Sequence, residues 1–487
     1  MQATTNINWL HCVLLSSQSM LIWRPAIRVL LATLVAAFLF ICYGRTHFYR
    51  DPGSVFYDRS RAFERTYSLH REAEAKEYIR TLQAAEGVGS DGPTAADLGA
   101  AHVKAGVKPA ICGIFSTVKR EGEQYVETAI ASLLHGLTPA ERADIHLSIL
   151  FAHTNSTAHP SLKQPWLLRA IDSAHTYTDT LDPETIAHLR QLEETRNYAE
   201  KGVFDYIYAL KQCYDTQTPY IAMLEDDILF ADGWLVRSLL GLRRIEAATT
   251  TTTTTSTGTI VIKPWLYMRL FNQERSTGWA NKHIFGNNEH WIILAIAAVI
   301  LTPTFLIQRR RRSRHLHRSR FRLPSQLPRH KSPAYPPSSP SSPPTTTITT
   351  ILTLTLLTLP TIIILFFQAG KASMLPPRAG VVREAFGCCS QAMVFPRERV
   401  GGVMAFLEQR GKGQVDLLLN DLVREGEGGK GLDAWALYPV QVQHVGSQSV
   451  RGTTKKEAQA VWSMAFEDLK ADKLRREHKE MVGRYYV

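Results

Sequence analysis

The sequence predicts an α/β fold that carries an N-terminal membrane anchor and is interrupted by two further membrane spans. Apolar, strand-like segments alternate with amphipathic, helix-like segments between residues 109 and 230, which is the pattern of a sheet covered by helices. Long apolar stretches lie at 26–43, 291–308 and 348–368. Each is close to the length that crosses a hydrocarbon core of about 30 Å. The alternative for the second and third is a buried core helix, but neither contains a charged residue, which favours spans.

The net charge of +12 comes largely from one short segment of the chain. Ten Lys or Arg residues and no acidic residue lie at 309–331, directly after the second apolar stretch. A basic segment in that place is typical of a loop that flanks a membrane span rather than of a surface that binds nucleic acid. We therefore expect no nucleic-acid partner.

Basic residues also predict the topology. Arg24 and Arg28 stand at the start of the first apolar stretch, which lacks a small-residue cleavage site and is interpreted as an uncleaved signal anchor. Under the positive-inside rule, the N-terminus and the basic loop between the second and third spans are cytoplasmic. Residues 44–290 and 369–487 then share the non-cytoplasmic side. That side also holds the single N-glycosylation sequon, at Asn155.

These observations predict the following organisation of the chain. It comprises a cytoplasmic tail (1–25), a transmembrane signal anchor (26–43), a luminal stem (44–108), the first part of a folded domain (109–290), a span (291–308), a basic and Pro/Ser/Thr-rich cytoplasmic linker (309–347), a span (348–368) and the second part of the domain (369–487). Cys112, Cys213, Cys388 and Cys389 lie on the luminal side, where disulfides are permitted. Four thiols allow three pairings, and the sequence does not choose among them.

Three consecutive carboxylates end an apolar, strand-like run at 219–224. They are Glu225, Asp226 and Asp227. Adjacent like charges repel and are costly to desolvate, and a divalent cation with oxygen ligands offsets that cost. The alternative is an acidic turn before the next helix, with Asp232 as its N-cap. A second polar segment, 117–120, also follows a strand-like run, so we expect both segments at the carboxyl edge of one sheet, where ligands bind in α/β folds.

Three short motifs carry a resemblance to a known group of enzymes. STVKRE at 116–121, LEDD at 224–227 and QHVG at 443–446 resemble N-acetylglucosaminyltransferase IV and its relatives. The spans inserted within the domain make the chain similar to one branch in particular, the Golgi GPI-anchor side-chain N-acetylgalactosaminyltransferase family. The resemblance covers roughly residues 105–290 and 375–450.

The resemblance implies a GT-A type nucleotide-sugar-binding domain on the luminal side of the Golgi (or ER) membrane. It implies an inverting transfer of a sugar, an N-acetylhexosamine, from a UDP-sugar to the glycan of a GPI anchor or GPI-anchored protein, with Mn²⁺ or Mg²⁺ as cofactor and membrane lipid as a further partner. In such chemistry the cation neutralises charge on the departing diphosphate. A carboxylate deprotonates the acceptor hydroxyl.

The resemblance also implies roles for particular residues. Asp227 and His444 are expected to hold the metal. Asp416 is the expected general base, with Asp421 and Glu384 as alternatives, and Glu225 is the second catalytic residue, placed to hold ribose, sugar or water together with Asp226. Donor contacts are further expected from Thr117, Lys119, Arg120, Lys201 and Asp205.

The chain departs from the family in two low-complexity segments, 247–259 and 309–349. The first contains a run of threonines, and the second is far longer than a hairpin turn. They are expected to loop out of the fold, either as natural insertions or as gene-model artefacts. Two other functions stay open, namely a transferase that acts on N-glycans or another lipid-linked glycan, and a non-catalytic membrane scaffold. The scaffold predicts no UDP-sugar binding and tolerance of Asp227→Ala.

Overall fold

The structure is a computed structural model that describes residues 5–87, 108–250, 264–274, 279, 288–320, 345–384, 389–426, 431–446 and 461–486. The chain divides into two compact units. We call Met1–Arg59 with Thr277–Leu375 the helical unit, and Ser60–Ser276 with Pro376–Val487 the sheet unit. The sheet unit is therefore discontinuous in the sequence.

The described elements are bounded as follows. The helices are α1 (Thr5–His47), α2 (Tyr67–Gly87), α3 (Val126–Leu134), α4 (Pro139–Ala143), α5 (Pro165–Ala170), α6 (Pro183–Glu194), α7 (Tyr198–Asp215), α8 (Trp234–Thr250), α9 (Glu289–Arg320), α10 (Thr345–Thr353), α11 (Leu359–Gln368), α12 (Lys371–Met374), α13 (Arg397–Arg410), α14 (Val415–Glu425), α15 (Met464–Glu467) and α16 (Ala471–Tyr485). The strands are β1 (Ile111–Thr117), β2 (Ile145–Phe151), β3 (Ser173–His175), β4 (Tyr220–Glu225), β5 (Ile228–Phe230), β6 (Trp265–Arg269), β7 (Gly380–Arg383), β8 (Ala392–Pro396), β9 (Asp433–Tyr438) and β10 (Val442–His444).

Three segments of the helical unit are long and apolar enough to cross a membrane, which confirms that prediction from the sequence. They are Pro25–His47, Glu289–Ile307 and Ile348–Gln368. The first and third are joined by a hydrogen bond between the hydroxyls of Thr33 and Thr358, whose oxygens are 2.8 Å apart. Each hydroxyl is thereby satisfied in apolar surroundings, where an unpaired polar group is costly.

A buried carboxylate connects the segments that follow α1 and α11. Asp51 accepts hydrogen bonds from the backbone N–H groups of Gly53 and Ser373, each at 2.8 Å. Gly370 has φ of +92°, and a Cβ at this position would overlap with the Asp51 carboxylate. Both its backbone conformation and the close approach of the carboxylate therefore require glycine.

In the sheet unit, the longest sheet of the described residues has eight strands in the order β3-β2-β1-β4-β8-β6-β9-β7. β3, β2, β1 and β4 are parallel to one another, whereas β8 lies antiparallel between β4 and β6. The central strands have few exposed residues, as expected when helices cover both faces of a sheet. The predicted α/β fold is confirmed as a mixed sheet with packed helices.

Each face of the sheet carries its own hydrophobic cluster. Ile130 of α3 and Trp234 of α8 belong to the cluster on one face, and Leu210 of α7 and Val403 of α13 belong to the cluster on the other. A disulfide between Cys112 in β1 and Cys213 in α7, with Cα atoms 5.6 Å apart, joins the sheet to the second layer. The sequence left three possible pairings of the four cysteines predicted to be luminal. The structure contains the Cys112–Cys213 disulfide, which occurs in only one of them.

Two elements differ from the predicted ones. The expected luminal stem, 44–108, contains α2, which packs within the sheet unit and buries Tyr67, Ala75 and Leu82. The sequence predicts one helical stretch over 184–214, and the structure divides it into two helices, α6 and α7. They are separated at Arg196, which has φ of +55°, and the side chain of Asn197 then caps α7 by accepting a bond from Glu200 N at 3.4 Å.

Candidate functional site

The two polar segments that follow strands lie side by side at the carboxyl edge of the sheet. β1 and β4 are parallel neighbours, and their register places Ser116 beside Glu225. The next residues are therefore also adjacent, and Thr117 Oγ1 donates a hydrogen bond to Asp226 Oδ2 at 2.7 Å. Parallel pairing thus brings Thr117 and the acidic triplet together, as expected from the sequence.

Arg120 bridges the two aspartates. Its Nη2 donates to Asp226 Oδ1 and lies 3.4 Å from Asp227 Oδ2. Its guanidinium also stacks over the ring of Tyr125, with 5.0 Å to the ring centroid. Burial raises the pKa of Asp226 in spite of the Arg120 guanidinium, and the Asp227 carboxylate adds to the rise. Arg120 therefore orients both carboxylates, but it does not fully offset the free-energy cost of burying two adjacent negative charges.

A two-stranded ribbon brings the late histidine to the triplet. β10 pairs antiparallel with β5 and places His444 opposite Ile228, so His444 Nε2 lies 3.4 Å from Asp227 Oδ2. The turn after β10 also contacts this carboxylate, because a Cβ on Gly446 would overlap with Asp227 Oδ2. Glycine at 446 thus allows the backbone to approach Asp227.

The second ring nitrogen of His444 shows which tautomer the neutral ring adopts. His444 Nδ1 lies 3.1 Å from the backbone oxygen of Val461. Since a carbonyl oxygen only accepts hydrogen bonds, Nδ1 carries a proton, and the lone pair of neutral His444 is on Nε2, the atom that faces Asp227. Burial by itself would lower the pKa of His444, but the Asp227 carboxylate outweighs it and raises that pKa, so the protonated ring forms an ion pair with Asp227 through Nε2. A metal held here would instead take the Nε2 lone pair of the neutral ring, whose Nδ1–H stays bonded to the carbonyl.

One oxygen of Asp227 has no hydrogen-bond partner in the part of the chain that the structure describes. Asp227 is only 8% exposed, and its Oδ1 is buried without a hydrogen-bond partner among the described residues. Burial by itself would raise the pKa of Asp227, but His444 and Arg120 outweigh it and hold the pKa below the ordinary value. A buried, ionised oxygen without a partner is costly. A carboxylate oxygen and an imidazole nitrogen are both ligand types that Mn²⁺ accepts, so the residue types at Asp227 and His444 are compatible with the expected metal.

His159 also lies at this site, although no pattern in the sequence indicated it. It is buried, its Nδ1 accepts a hydrogen bond from Ser161 N at 3.2 Å, and its Nε2 lies 3.3 Å from Thr117 Oγ1. Burial lowers the pKa of His159 to about 4, so the neutral ring donates from Nε2 to Thr117. A chain of hydrogen bonds therefore runs from His159 through Thr117 to Asp226. His159 lies among short 3₁₀ turns, which have no periodicity by which to predict its position.

Glu225 lies on the other side of the strand end from Asp226, because successive strand residues face opposite ways. It accepts a hydrogen bond from Ser390 Oγ at 2.6 Å. Nearby, the hydroxyl of Tyr206 and Oε1 of Gln391 are buried without partners among the described residues. Burial raises the pKa of Tyr206, and both Glu225 and Asp416 add to the rise. Asp416, in the first turn of α14, is therefore within electrostatic range of the same hydroxyl as Glu225.

The alternative bases are engaged elsewhere. Glu384 accepts a hydrogen bond from Arg269 Nε at 2.9 Å, and burial raises its pKa despite that arginine. Asp421 pairs with Arg424 at the surface. Since both carboxylates already have a cationic partner, Asp416 stays the prediction for the base.

Lys201 and Asp205, expected to contact the donor, instead bind each other. Lys201 Nζ donates to Ala152 O at 2.8 Å, Tyr177 Oη at 3.0 Å and Asp205 Oδ2 at 2.9 Å. An ammonium has three N–H donors, so none is left for a phosphate in this arrangement. We assign the pair to the scaffold beneath the site. Lys119 is exposed, and nothing in the structure tests its role.

A second acidic and histidine-containing group lies away from the triplet. Glu74, His135 and Asp232 have ligand atoms within 4.8 Å of one another. The Arg71 guanidinium lies among them, with Nη1 3.0 Å from His135 Nδ1 and 3.1 Å from Asp232 Oδ1. A cation therefore already occupies the centre of this group. Asp232, considered as an N-cap, instead accepts from Arg71 and from Tyr67 Oη at 2.9 Å.

No protein-family model matches the chain, and no curated protein matches it significantly.

Proposed function

We propose that the protein is a membrane-bound, metal-dependent, inverting glycosyltransferase that transfers an N-acetylhexosamine from a UDP-sugar to a GPI-anchor glycan. The observation that carries this proposal is Asp227 Oδ1, a buried carboxylate oxygen without a partner in the described residues, on the residue that faces His444 Nε2 at 3.4 Å. The position of these groups at the carboxyl edge of parallel strands is where nucleotide ligands bind in α/β folds, and it supports a GT-A type domain.

Each residue of the site has a proposed role in this reaction. Asp227 and His444 would hold the cation, which when bound supplies charge neutralisation for the departing diphosphate. Thr117 and Arg120 orient Asp226 for contact with the nucleotide. On the other side of the strand end, Glu225 would hold a hydroxyl of the sugar.

Removal of the acceptor proton is assigned to a different element. Asp416 at the start of α14 would take the proton of the attacking hydroxyl, as the resemblance implies. The hydroxyl of Tyr206 and Oε1 of Gln391 are the buried groups that a sugar could satisfy. A ligand that pairs with such groups recovers the cost of leaving them unpaired.

Hydrolysis and transfer assays with the purified full-length protein test this function. We expect Mn²⁺-dependent release of UDP from one sugar donor of a panel that includes UDP-N-acetylgalactosamine, UDP-N-acetylglucosamine and UDP-galactose. Addition of a GPI glycan should accelerate that release, whereas an N-glycan acceptor should not. Acceleration by the N-glycan instead would move the acceptor to the alternative class. Absence of both UDP release and UDP binding would favour the non-catalytic scaffold.

We also propose that the sheet unit is luminal, in the Golgi or the ER. The buried Cys112–Cys213 disulfide supports an oxidising compartment, and Asn155 of the sequon is exposed. We expect a mobility shift after removal of N-glycans, lost in Asn155→Gln, and resistance of both cysteines to alkylation until the protein is reduced. Reactive thiols at 112 and 213 in freshly lysed cells, together with no glycan shift, would place the sheet unit in the cytosol.

A further inference from the structure

We propose that Glu274, Gln443 and Ser463 are positioning residues that hold the imidazole of His444 towards Asp227. This inference rests on the proposed function only in taking His444 as a metal ligand. All of these side chains are at least nine-tenths buried, and no motif in the sequence connects them.

The first part of the arrangement is a two-way contact between β10 and a later segment. Gln443 Nε2 donates to Ser463 O at 2.9 Å, and Ser463 N donates to Gln443 Oε1 at 3.0 Å. Gln443 Nε2 also donates to Glu467 Oε1 at 2.9 Å. A side-chain amide that pairs with both polar groups of one backbone residue fixes the distance and the register between the two segments. The segment around Ser463 is thereby held alongside the strand that carries His444.

The second part is a carboxylate at the start of α15. Glu274 accepts hydrogen bonds from Ser463 Oγ at 2.9 Å, Met464 N at 2.8 Å and Ala465 N at 3.0 Å. A carboxylate at the first N–H groups of a helix satisfies donors that have no partner within the helix. Glu274 therefore restrains the side chain of Ser463, whereas Gln443 restrains its backbone.

The third part connects Glu274, Gln443 and Ser463, which we call the brace, to the imidazole of His444. His444 Nδ1 donates to the oxygen of Val461, two residues before Ser463. The place of that oxygen determines the ring orientation and the tautomer of His444, and hence where Nε2 points. Partners of this kind behind a metal-binding histidine typically change metal affinity about 10- to 100-fold when they are lost.

The position of Glu274 in the chain gives the brace a further consequence. The chain leaves the sheet unit after Ser276 and enters the helical unit at Thr277. Glu274 is thus the last described residue of the sheet unit before the inserted spans. Its hydrogen bonds to Ser463, Met464 and Ala465 therefore hold the end of the described segment 264–274 against α15.

Mn²⁺ binding by the full-length protein in detergent tests the proposal. We compare wild type with Glu274→Gln and Ser463→Ala by the electron paramagnetic resonance signal of free Mn²⁺ at saturating UDP. Each variant should raise the Kd for Mn²⁺ about 10-fold, while kcat at saturating Mn²⁺ changes less than about threefold because no group that touches substrate is removed. An unchanged Kd in both variants would overturn the proposal.

Glu141→Gln is the matched control. Glu141 is also a fully buried carboxylate, which accepts from Thr138 N and faces His478 Nε2, both at 2.9 Å. It lies just before β2 and therefore at the opposite edge of the sheet from the site. This variant should lose stability but keep the wild-type Kd for Mn²⁺. An equal loss of affinity in Glu141→Gln would show a general effect of destabilisation and would overturn the proposal.

Hydrogen–deuterium exchange without metal separates this inference from the proposed function. Peptides that cover 441–446 should exchange faster in Glu274→Gln than in wild type or Glu141→Gln, because the backbone beside His444 is less restrained. If wild type binds no Mn²⁺, the proposed function fails, and faster exchange at 441–446 would still support the brace. Unchanged exchange would overturn the brace even if wild type binds Mn²⁺.

Discussion

Asp227→Ala is expected to abolish metal-dependent turnover of the sugar donor. The substitution removes the one carboxylate that faces His444 Nε2 and that has a buried oxygen without a partner in the described part of the chain. Because metal-ion stabilisation of a leaving group contributes several kcal/mol, the rate should fall about a thousandfold or more. Release of UDP at saturating Mn²⁺ measures the effect.

Thermal unfolding provides a second readout for Asp227. Mn²⁺ with UDP should raise the Tm of the wild type, because a ligand that binds only the folded state stabilises it, and this rise should be absent in Asp227→Ala. Asp227→Asn keeps the shape of the side chain without its charge, so a similar loss would identify the charge as the essential property. Asp472→Ala is the control, since that side chain is 87% exposed. Wild-type turnover in Asp227→Ala would refute the metal site and favour the scaffold.

Arg71→Met is expected to cause a large loss of stability. Arg71 is fully buried. It donates to Phe230 O and to Ser132 O at 2.8 Å each, and its Nη1 contacts the group formed by Glu74, His135 and Asp232. Methionine fills a similar volume but leaves the buried Asp232 carboxylate without its ion-pair partner, whereas Glu74 keeps Arg475 at 3.0 Å. Breaking a buried ion pair from one side costs about 3–5 kcal/mol, and the free energy of unfolding should fall by that amount.

Chemical denaturation of the purified protein measures this change. Arg80→Met is the control on the same helix, because the Arg80 side chain is 69% exposed and pairs only with Glu77 among the contacts described. It should change stability by less than about 0.5 kcal/mol. If Arg71→Met unfolds at the wild-type denaturant concentration, the arginine is not what balances these carboxylates, and Glu74, His135 and Asp232 would again be candidates for a metal site.

The helices that are long and apolar enough to cross a membrane, and the strand-and-helix order, were predictable because they depend on local properties. A helix that crosses a bilayer needs about 20 consecutive apolar residues, and this is visible in the sequence without any knowledge of tertiary contacts. A buried parallel strand is likewise a short, nearly continuous apolar run. β2 covers the apolar run 145–151, and β4 ends at Glu225, one residue after the apolar run 219–224.

Long-range contacts were predictable only where a general rule connects distant residues. Parallel strands end at one edge of a sheet, so Thr117 and Asp226 could be expected together. The resemblance suggested that His444 belongs with Asp227, and the ribbon of β5 and β10 places their side chains in contact. No such rule relates His159 or Glu274 to the site, because both reach it from irregular segments whose course is set by many weak contacts.

By itself, the sequence determined the three apolar helices, the α/β class and the placement of polar residues at strand ends, since each follows from the periodicity and length of apolar runs. Only the tertiary structure decided how each polar side chain is used. Lys201 and Asp205 pair with each other because burial makes an unpaired charge too costly. Arg71 lies at the centre of one acidic group for the same reason. At Asp227 one buried oxygen has no partner among the described residues, and this distinguishes the proposed metal site from the acidic group around Arg71.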